Sequence, residues 1–148
     1  AAETALPRLS AALARSRVAD PRAELEGVVR ELYELVERTR LGTALIERSA
    51  LDQPALATLF YVDVRRKLIE RLTRYLERRI RSGALRPVPD PPTAARLILE
   101  TITWFARHRM GDADSAAIDD AAARETTVDF LVHGLAAAGR AKAAPRRR

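Results

Sequence analysis

The sequence of 148 residues contains no cysteine, so disulfide bonds and thiol chemistry are excluded. Aromatic residues make up only 5% of it. Every apolar run falls far short of the about 18 residues that a membrane-spanning helix needs, so no transmembrane segment is expected. Alternating apolar and polar stretches and Asn-Gly turns are also missing, which argues against a sheet. Ala, Leu and Arg are abundant instead, and this composition favours an all-α fold.

Residues that could carry out chemistry are few. There are only two histidines, His108 and His133, and the six glycines are scattered rather than gathered in a phosphate-binding loop. Four acids follow His108 in the sequence: Asp112, Asp114, Asp119 and Asp120. Their spacing does not match a calcium loop, so helix caps and helix-dipole partners explain them better than a metal site does. No nucleophile can be paired with a base, and we expect neither an enzyme nor a cofactor.

Positive charge is concentrated at the end of the chain. The net charge is +6, and residues 140–148 contain five basic residues and no acid. We therefore divide the chain into one domain, residues 1–139, and a basic disordered tail, residues 140–148. A weak nucleic-acid or membrane anchor is the alternative interpretation of this tail.

A second basic run lies on a long predicted helix, residues 54–82. Six of its basic residues fall off the apolar stripe of that helix: Arg66, Lys67, Arg71, Arg74, Arg78 and Arg81. We interpret them as a solvated face. Nucleic-acid binding is the alternative. It would require aromatic or amide side chains interleaved on the same face, and these are nearly missing.

Apolar residues recur at intervals of three and four, and this pattern predicts about six helices. The predicted helices cover residues 5–16, 21–40, 43–51, 54–82, 91–110 and about 115–138. Asp20-Pro21 is a cap followed by a proline that opens the second helix, and Gly42 is expected to separate it from the third. Ser115 is the expected cap of the last helix, with Asp119 and Asp120 in its first turn.

A corner at residues 81–95 joins two of these helices. Gly83 stands where a left-handed residue closes a helix, and Leu85 can fold back on the last turn. Asp90 is predicted to cap the next helix, with Pro91 in its first position. The corner therefore connects a helix with one apolar face to a helix, 91–110, that is apolar on more than one side.

Most of the large rings fall on three of the predicted helices. They are Tyr33, Phe60, Tyr61, Trp104, Phe105 and His108. A few rings with polar tips inside an apolar lining are typical of a small-molecule pocket. The alternative, which residue types alone favour slightly, is a solid core in which the same rings fill space.

The order of the predicted helices resembles that of the C-terminal regulatory domain of TetR-family transcriptional repressors. The resemblance rests on a Gly-x-Leu-Arg helix end at Gly83–Arg86 and an Asp-Pro-x-x-Ala-Ala restart at Asp90–Ala95. Asp20-Pro21 and the segment Trp104–Arg109 also look like this family. The similarity covers about residues 5–138. The helix-turn-helix domain with which family members begin is not recognisable here, and whether it was lost or lies outside this chain stays open.

The resemblance implies a cytoplasmic homodimer that binds a small, largely apolar effector and contacts DNA only through an N-terminal domain. Helices 21–40, 54–82 and 91–110 would enclose the effector. The implied ligand-binding residues are Leu32, Tyr33, Val36, Ile46, Phe60, Tyr61, Val64, Leu68, Trp104, Phe105 and His108. The last two helices would form a four-helix dimer interface through Leu99, Thr103, Ala121, Val128, Leu131, Val132 and Leu135. The alternative function is a helical protein-interaction module without a small-molecule ligand.

Overall fold

A computed structural model describes residues 6–138, and within this range the chain forms five helices and one short 3₁₀ turn. The helices are α1, Pro7–Ala14; α2, Pro21–Ala50; α3, residues 54–81; α4, Pro91–Ala106; and α5, Asp120–Leu135, with the 3₁₀ turn His108–Gly111 between the last two. The described range contains no strand, only one isolated bridge between Leu85 and Ala136. The predicted all-α fold is therefore confirmed for this range. The predicted basic tail lies outside the described residues.

The prediction that Gly42 ends a helix is wrong. α2 continues through Gly42 to Ala50, so the predicted separate helix 43–51 is its C-terminal part, and five helices form where about six were expected. A glycine in a helix interior costs only about 1 kcal/mol relative to alanine, whereas proline, which forces a break, is missing between Pro21 and Pro54. Gly42 is exposed, and it does not adopt the positive φ that ends a helix.

α3 is one continuous helical segment made of three parts. Pro54–Ala57 and Lys67–Arg81 are α-helical, and Thr58–Arg66 between them is π-helical. The π-helical part is rich in β-branched and aromatic residues, which have a lower α-helix propensity than the Leu, Glu and Arg of the part that follows. π-helical segments are rare and are frequently found at functional sites.

Aspartate caps begin three of the helices. Asp20, Asp90 and Asp119 accept hydrogen bonds from the backbone nitrogens of Ala23, Thr93 and Ala122 at 3.0, 2.8 and 3.0 Å. The first two caps were predicted and are confirmed. The prediction of Ser115 as the last cap is wrong because residues 113–118 form turns. The buried Arg109 stabilises these turns by donating to the carbonyl oxygen of Ile118 at 2.6 Å and by binding Asp120.

The corner between α3 and α4 has the predicted conformation. Gly83 has φ 73°, the only positive φ among the described residues, and the nitrogens of Gly83 and Ala84 donate to the carbonyls of Ile80 and Arg79 at 3.0 and 2.8 Å. This pair of bonds is a Schellman cap. The corner is also joined to the end of α5, since the Arg86 nitrogen donates to the Leu135 carbonyl at 3.0 Å. α5 ends there, three residues before the predicted end.

The hydrophobic core lies where α1 packs on α2 and α3 and extends between α4 and α5. Its most buried side chains include Leu9, Leu32, Leu72, Leu76 and Ile102. α1 has only eight residues, which is too short for a stable isolated helix in water. Its position therefore depends on contacts with its neighbours.

Charged side chains from α2 and α3 bind both ends of α1. At the N-terminus, the Glu31 carboxylate accepts from the backbone nitrogens of Arg8 and Leu9 at 2.8 and 3.0 Å. At the C-terminus, Arg79 donates to the carbonyls of Ala12 and Arg15 at 2.8 and 3.2 Å. An acid at the N-terminus and a base at the C-terminus match the helix dipole. We call Glu31 and Arg79 with these four backbone groups the α1 clamp.

The α1 clamp is completed by an ion pair. The Arg79 side chain is 2% exposed and binds both carboxylate oxygens of Glu24, at 2.6 and 3.0 Å. These hydrogen bonds raise the pKa of the guanidinium above its ordinary value, although burial opposes the shift. Each of the three guanidinium nitrogens therefore has an acceptor within the protein.

Candidate ligand-binding site

A cavity of about 260 Å³ lies between α2, α3 and the C-terminal half of α4. This volume is just below the range of about 300–1,000 Å³ that is usual for ligand pockets, so it suits a small ligand. The lining residues are Leu35, Val36, Thr39, Thr43 and Glu47 from α2; Phe60, Tyr61, Val64, Arg65 and Leu68 from α3; and Leu99, Glu100, Thr103, Arg107 and His108 from α4 and the residues that follow it.

The π-helical segment of α3 supplies most of the α3 wall. Phe60, Tyr61, Val64 and Arg65 all belong to it, and all four line the cavity. The rings of Phe60 and Tyr61 meet edge to face, with centroids 5.1 Å apart. Tyr61 and Val64 are nearly half exposed, so this wall is not covered by other parts of the described chain. The cavity is thus a cleft that is open on its α3 side.

Two ion pairs lie on the polar part of the lining. Arg65 pairs with Glu100, which also receives a longer contact of 3.4 Å from Arg96. Arg107 Nη2 donates to Glu47 Oε1 at 2.9 Å. The Arg65 pair bridges α3 and α4, and the Arg107 pair connects the end of α4 to the C-terminal part of α2. Both pairs therefore join helices whose separation determines the width of the cavity.

Arg107 has an unused donor. Its side chain is 9% exposed, and its buried Nε has no hydrogen-bond partner among the described residues. The second contact of Nη2 is with Nε2 of His108, at 2.9 Å. Because a guanidinium can only donate, the assigned role of His108 Nε2 is acceptor, which places the ring proton on Nδ1. Arg107 and His108 thus lie together on the lining, and Arg107 Nε is a buried atom beneath its surface.

Six of the predicted ligand-binding residues line this cavity: Val36, Phe60, Tyr61, Val64, Leu68 and His108. Five do not. Leu32 and Tyr33 are fully buried in the core, and Phe105 packs against it, half-buried. Ile46 is half-buried outside the lining, and Trp104 is 38% exposed on the outer side of α4.

Nine lining residues were not predicted as ligand contacts: Leu35, Thr39, Thr43, Glu47, Arg65, Leu99, Glu100, Thr103 and Arg107. Thr43 and Glu47 were missed because α2 was expected to end before Gly42, and only a continuous helix places them one and two turns beyond Thr39. Leu99 and Thr103 were assigned to the dimer interface instead. The arginines and acids carried no sequence signal that separates a cavity wall from a solvated face.

Most of the predicted interface residues face the interior of the subunit. Leu99, Val128, Val132 and Leu135 are at most 7% exposed, and Leu131 is half-buried. Thr103 lines the cavity, and Ala121 alone is exposed. The large apolar side chains that α4 and α5 leave exposed are Leu97, Trp104 and Phe130, with exposed fractions of 61%, 38% and 76%.

A groove of about 350 Å³ lies between the start of α4 and the end of α5. Its lining is almost entirely apolar and includes Val88, Leu97, Phe130 and Leu131. Gly134 and the side chain of Arg86, which binds the Gly134 carbonyl, complete one wall. Exposed apolar area concentrated in one place is typical of a surface that contacts another protein.

Residues 6–138 contain no cluster of three or more His, Cys, Asp or Glu side chains that could bind a metal ion. In the same range, no helix is long and apolar enough to cross a membrane.

Comparison with known protein families agrees with this architecture. Residues 24–138 match the family of C-terminal domains of AefR-like transcriptional repressors. The chain therefore belongs to the C-terminal regulatory domains of the TetR family, which are not enzymes. No model of a helix-turn-helix domain matches the chain. Searches of curated proteins and of solved structures found no match.

Proposed function

We propose that the cavity between α2, α3 and α4 binds a small, largely apolar effector, and that the domain pairs with a second copy of itself. The effector would control DNA binding by an N-terminal domain of the intact repressor. The observation that carries this proposal is the cavity itself, in a regulatory domain of this family. Its lining combines aliphatic and aromatic side chains from three helices with three threonines, two Arg–Glu pairs and His108.

The dimer surface that we propose is the outer face of α4 and α5 with its apolar groove. Leu97 and Phe130 are the large apolar side chains exposed in this groove, and Gly134 leaves space for an approaching helix. A twofold axis across this face would place the Phe130 of one subunit near the groove of the other, because the two surfaces of such an interface are identical. We propose this outer face instead of the predicted stripe Val128, Val132 and Leu135, which is buried within the subunit.

Helix α4 would couple the two sites. Leu99 and Thr103 line the cavity, whereas Leu97 and Trp104 on the same helix are exposed. The start of α4 is connected to the end of α5 through the Arg86–Leu135 hydrogen bond. A ligand that prefers one position of α4 shifts the pairing of the subunits by its difference in affinity for the two positions, and by no more than that.

Substitution in the cavity tests the effector part of the proposal. Val64→Trp should fill the cavity from its open side without disturbing the core, since Val64 is 45% exposed. A ligand found by a thermal-shift screen of apolar and aromatic compounds stabilises the native protein by about 2.7 kcal/mol at 100 times its Kd, and Val64→Trp should abolish this stabilisation. Leu59→Trp is the control, since Leu59 is similarly exposed but does not line the cavity. Equal loss in both variants, or no loss in either, would place the ligand elsewhere.

Substitution of Phe130 tests the dimer. Phe130→Asp should convert the protein to a monomer in sedimentation experiments at tens of micromolar, because an unpaired charge would be buried at the interface. Leu41→Asp is the matched control, as Leu41 is 83% exposed on α2. If the wild-type protein is monomeric at this concentration, we expect the apolar face to bind a different protein instead of a second copy. That outcome favours the alternative function, an interaction module.

A further inference from the structure

The residues that line the cavity indicate which class of ligand would fit it. This inference rests on the proposed effector function. Seven of the fifteen lining residues are aliphatic or aromatic: Leu35, Val36, Phe60, Tyr61, Val64, Leu68 and Leu99. This part of the wall gains free energy by removing apolar surface from water. The part of the ligand that contacts it is therefore expected to be apolar.

The polar part of the lining differs from this wall because it includes Arg107. Both Nη2 hydrogens of Arg107 are used, by Glu47 and by His108, whereas its buried Nε–H has no acceptor among the described residues. A buried donor without a partner costs about 1–3 kcal/mol. A ligand whose entry uncovers Nε could place an acceptor there and would remove that cost.

The charges around the cavity balance. Arg65 is paired with Glu100, and Arg107 is paired with Glu47. Because each guanidinium is already paired with a carboxylate, the lining offers no net charge to offset the desolvation of a charged ligand. A neutral molecule avoids this cost.

We propose that the cavity selects an uncharged molecule with an apolar body and a carbonyl-type acceptor at one end, which binds Arg107 Nε–H. The class includes small ketones, esters and amides, and excludes carboxylates and amines of the same size. The acceptor is bound at the point where α4 ends, so the ligand contacts the helix that also carries the proposed dimer face.

Four probes of nearly equal size test this class on the full chain: acetophenone, ethylbenzene, benzoate and benzylammonium. Titrations followed by amide NMR shifts of the lining residues give both the affinity and the site. Acetophenone should bind about tenfold more tightly than ethylbenzene, the gain expected for one hydrogen bond to a charged donor. It should also bind about tenfold more tightly than either ion.

Two variants identify the residue responsible. Arg107→Met should reduce the affinity for acetophenone to that for ethylbenzene and leave ethylbenzene unchanged. Glu47→Gln, which removes one negative charge, should increase the affinity for benzoate several-fold. Arg74→Met is the control for both, because Arg74 is exposed and does not line the cavity. The ranking of the four probes by the wild-type protein does not depend on the folding of any variant.

The outcomes separate the two proposals. Equal affinities for acetophenone and ethylbenzene, or tighter binding of either ion, would overturn the proposed ligand class while leaving the effector cavity intact. If none of the four probes shifts the lining residues at millimolar concentration, both the ligand class and the effector function fail.

Discussion

Two arginines that pair with opposite ends of α2, Arg79 and Arg107, differ in how completely the protein satisfies them. Arg79 in the α1 clamp is 2% exposed, and all three of its guanidinium nitrogens donate to Glu24 or to carbonyls at the end of α1. Arg107 at the cavity is 9% exposed, and its Nε donates to nothing in the described chain. All the donor nitrogens of Arg79 are therefore paired, whereas one donor nitrogen of Arg107 has no acceptor in the described chain.

The difference indicates what each of the two arginines does. Full pairing at Arg79 fixes the position of α1, the helix nearest to the N-terminus, relative to α2 and α3. Incomplete pairing at Arg107 leaves a donor for an additional molecule. A regulatory domain needs both, since a ligand can shift an equilibrium only if it contacts an element that has more than one position, while the rest of the structure stays fixed.

The largest effect is expected for Arg79→Met. It leaves Glu24, whose side chain is 12% exposed, without its partner and the carbonyls of Ala12 and Arg15 without their donor. Breaking a buried pair in this way costs about 3–5 kcal/mol, which denaturant unfolding would detect as a large decrease in the free energy of unfolding. Arg74→Met, at an exposed position on the same helix, is the control and should change it little. A similar loss in both variants would mean that the α1 clamp contributes no more than the solvated face does.

A smaller effect is expected for Asp90→Ala at the corner that lies between the two arginines. The hydrogen bond from Thr93 lowers the pKa of the Asp90 carboxyl below its ordinary value of 3.8. The ionised carboxylate therefore stabilises the folded state above that pH, and this contribution is lost as the pH falls below 3.8 towards the folded pKa. The difference in denaturation midpoint between wild type and variant should be present at pH 6 and shrink below 3.8. A difference that is independent of pH would contradict an electrostatic cap.

The smallest effect on stability is expected for Arg107→Met. The substitution removes a donor that has no partner, and the Glu47 carboxylate that it leaves is 28% exposed and can be hydrated. The free energy of unfolding should change by less than about 1 kcal/mol, as for partly exposed ion pairs. Denaturant unfolding under the conditions used for Arg79→Met gives the comparison directly. A loss as large as that of Arg79→Met would mean that Arg107 is structural.

Local signals predicted the corner and two of the helix starts correctly. Gly83, Asp90 and Asp20 act through the backbone within a few residues, so their effect can be read from the chain without knowledge of the fold. Gly42 shows the limit of this approach. A glycine favours a break only weakly, and the packing of the flanking turns decides whether the helix continues.

The candidate site could be predicted only in part because its residues meet through tertiary packing. Phe60, Tyr61 and Val64 were found by their apolar character, whereas Glu47 and Arg107 are indistinguishable in sequence from solvated charges. Trp104 was expected in the cavity as a large ring, but the helix turns it outward. The amphipathic pattern of α4 indicates two apolar faces without showing which face lies against the cavity and which lies against a second subunit.

The most direct test of the ligand site is a crystal structure of the full chain with acetophenone bound. We expect density between α2, α3 and α4, with the carbonyl oxygen about 2.9 Å from Arg107 Nε and the ring against Phe60 and Leu99. We also expect an unchanged Arg79–Glu24 pair at the α1 clamp. Density for acetophenone in the groove beside Leu97 and Phe130, with the cavity occupied only by water, would contradict it.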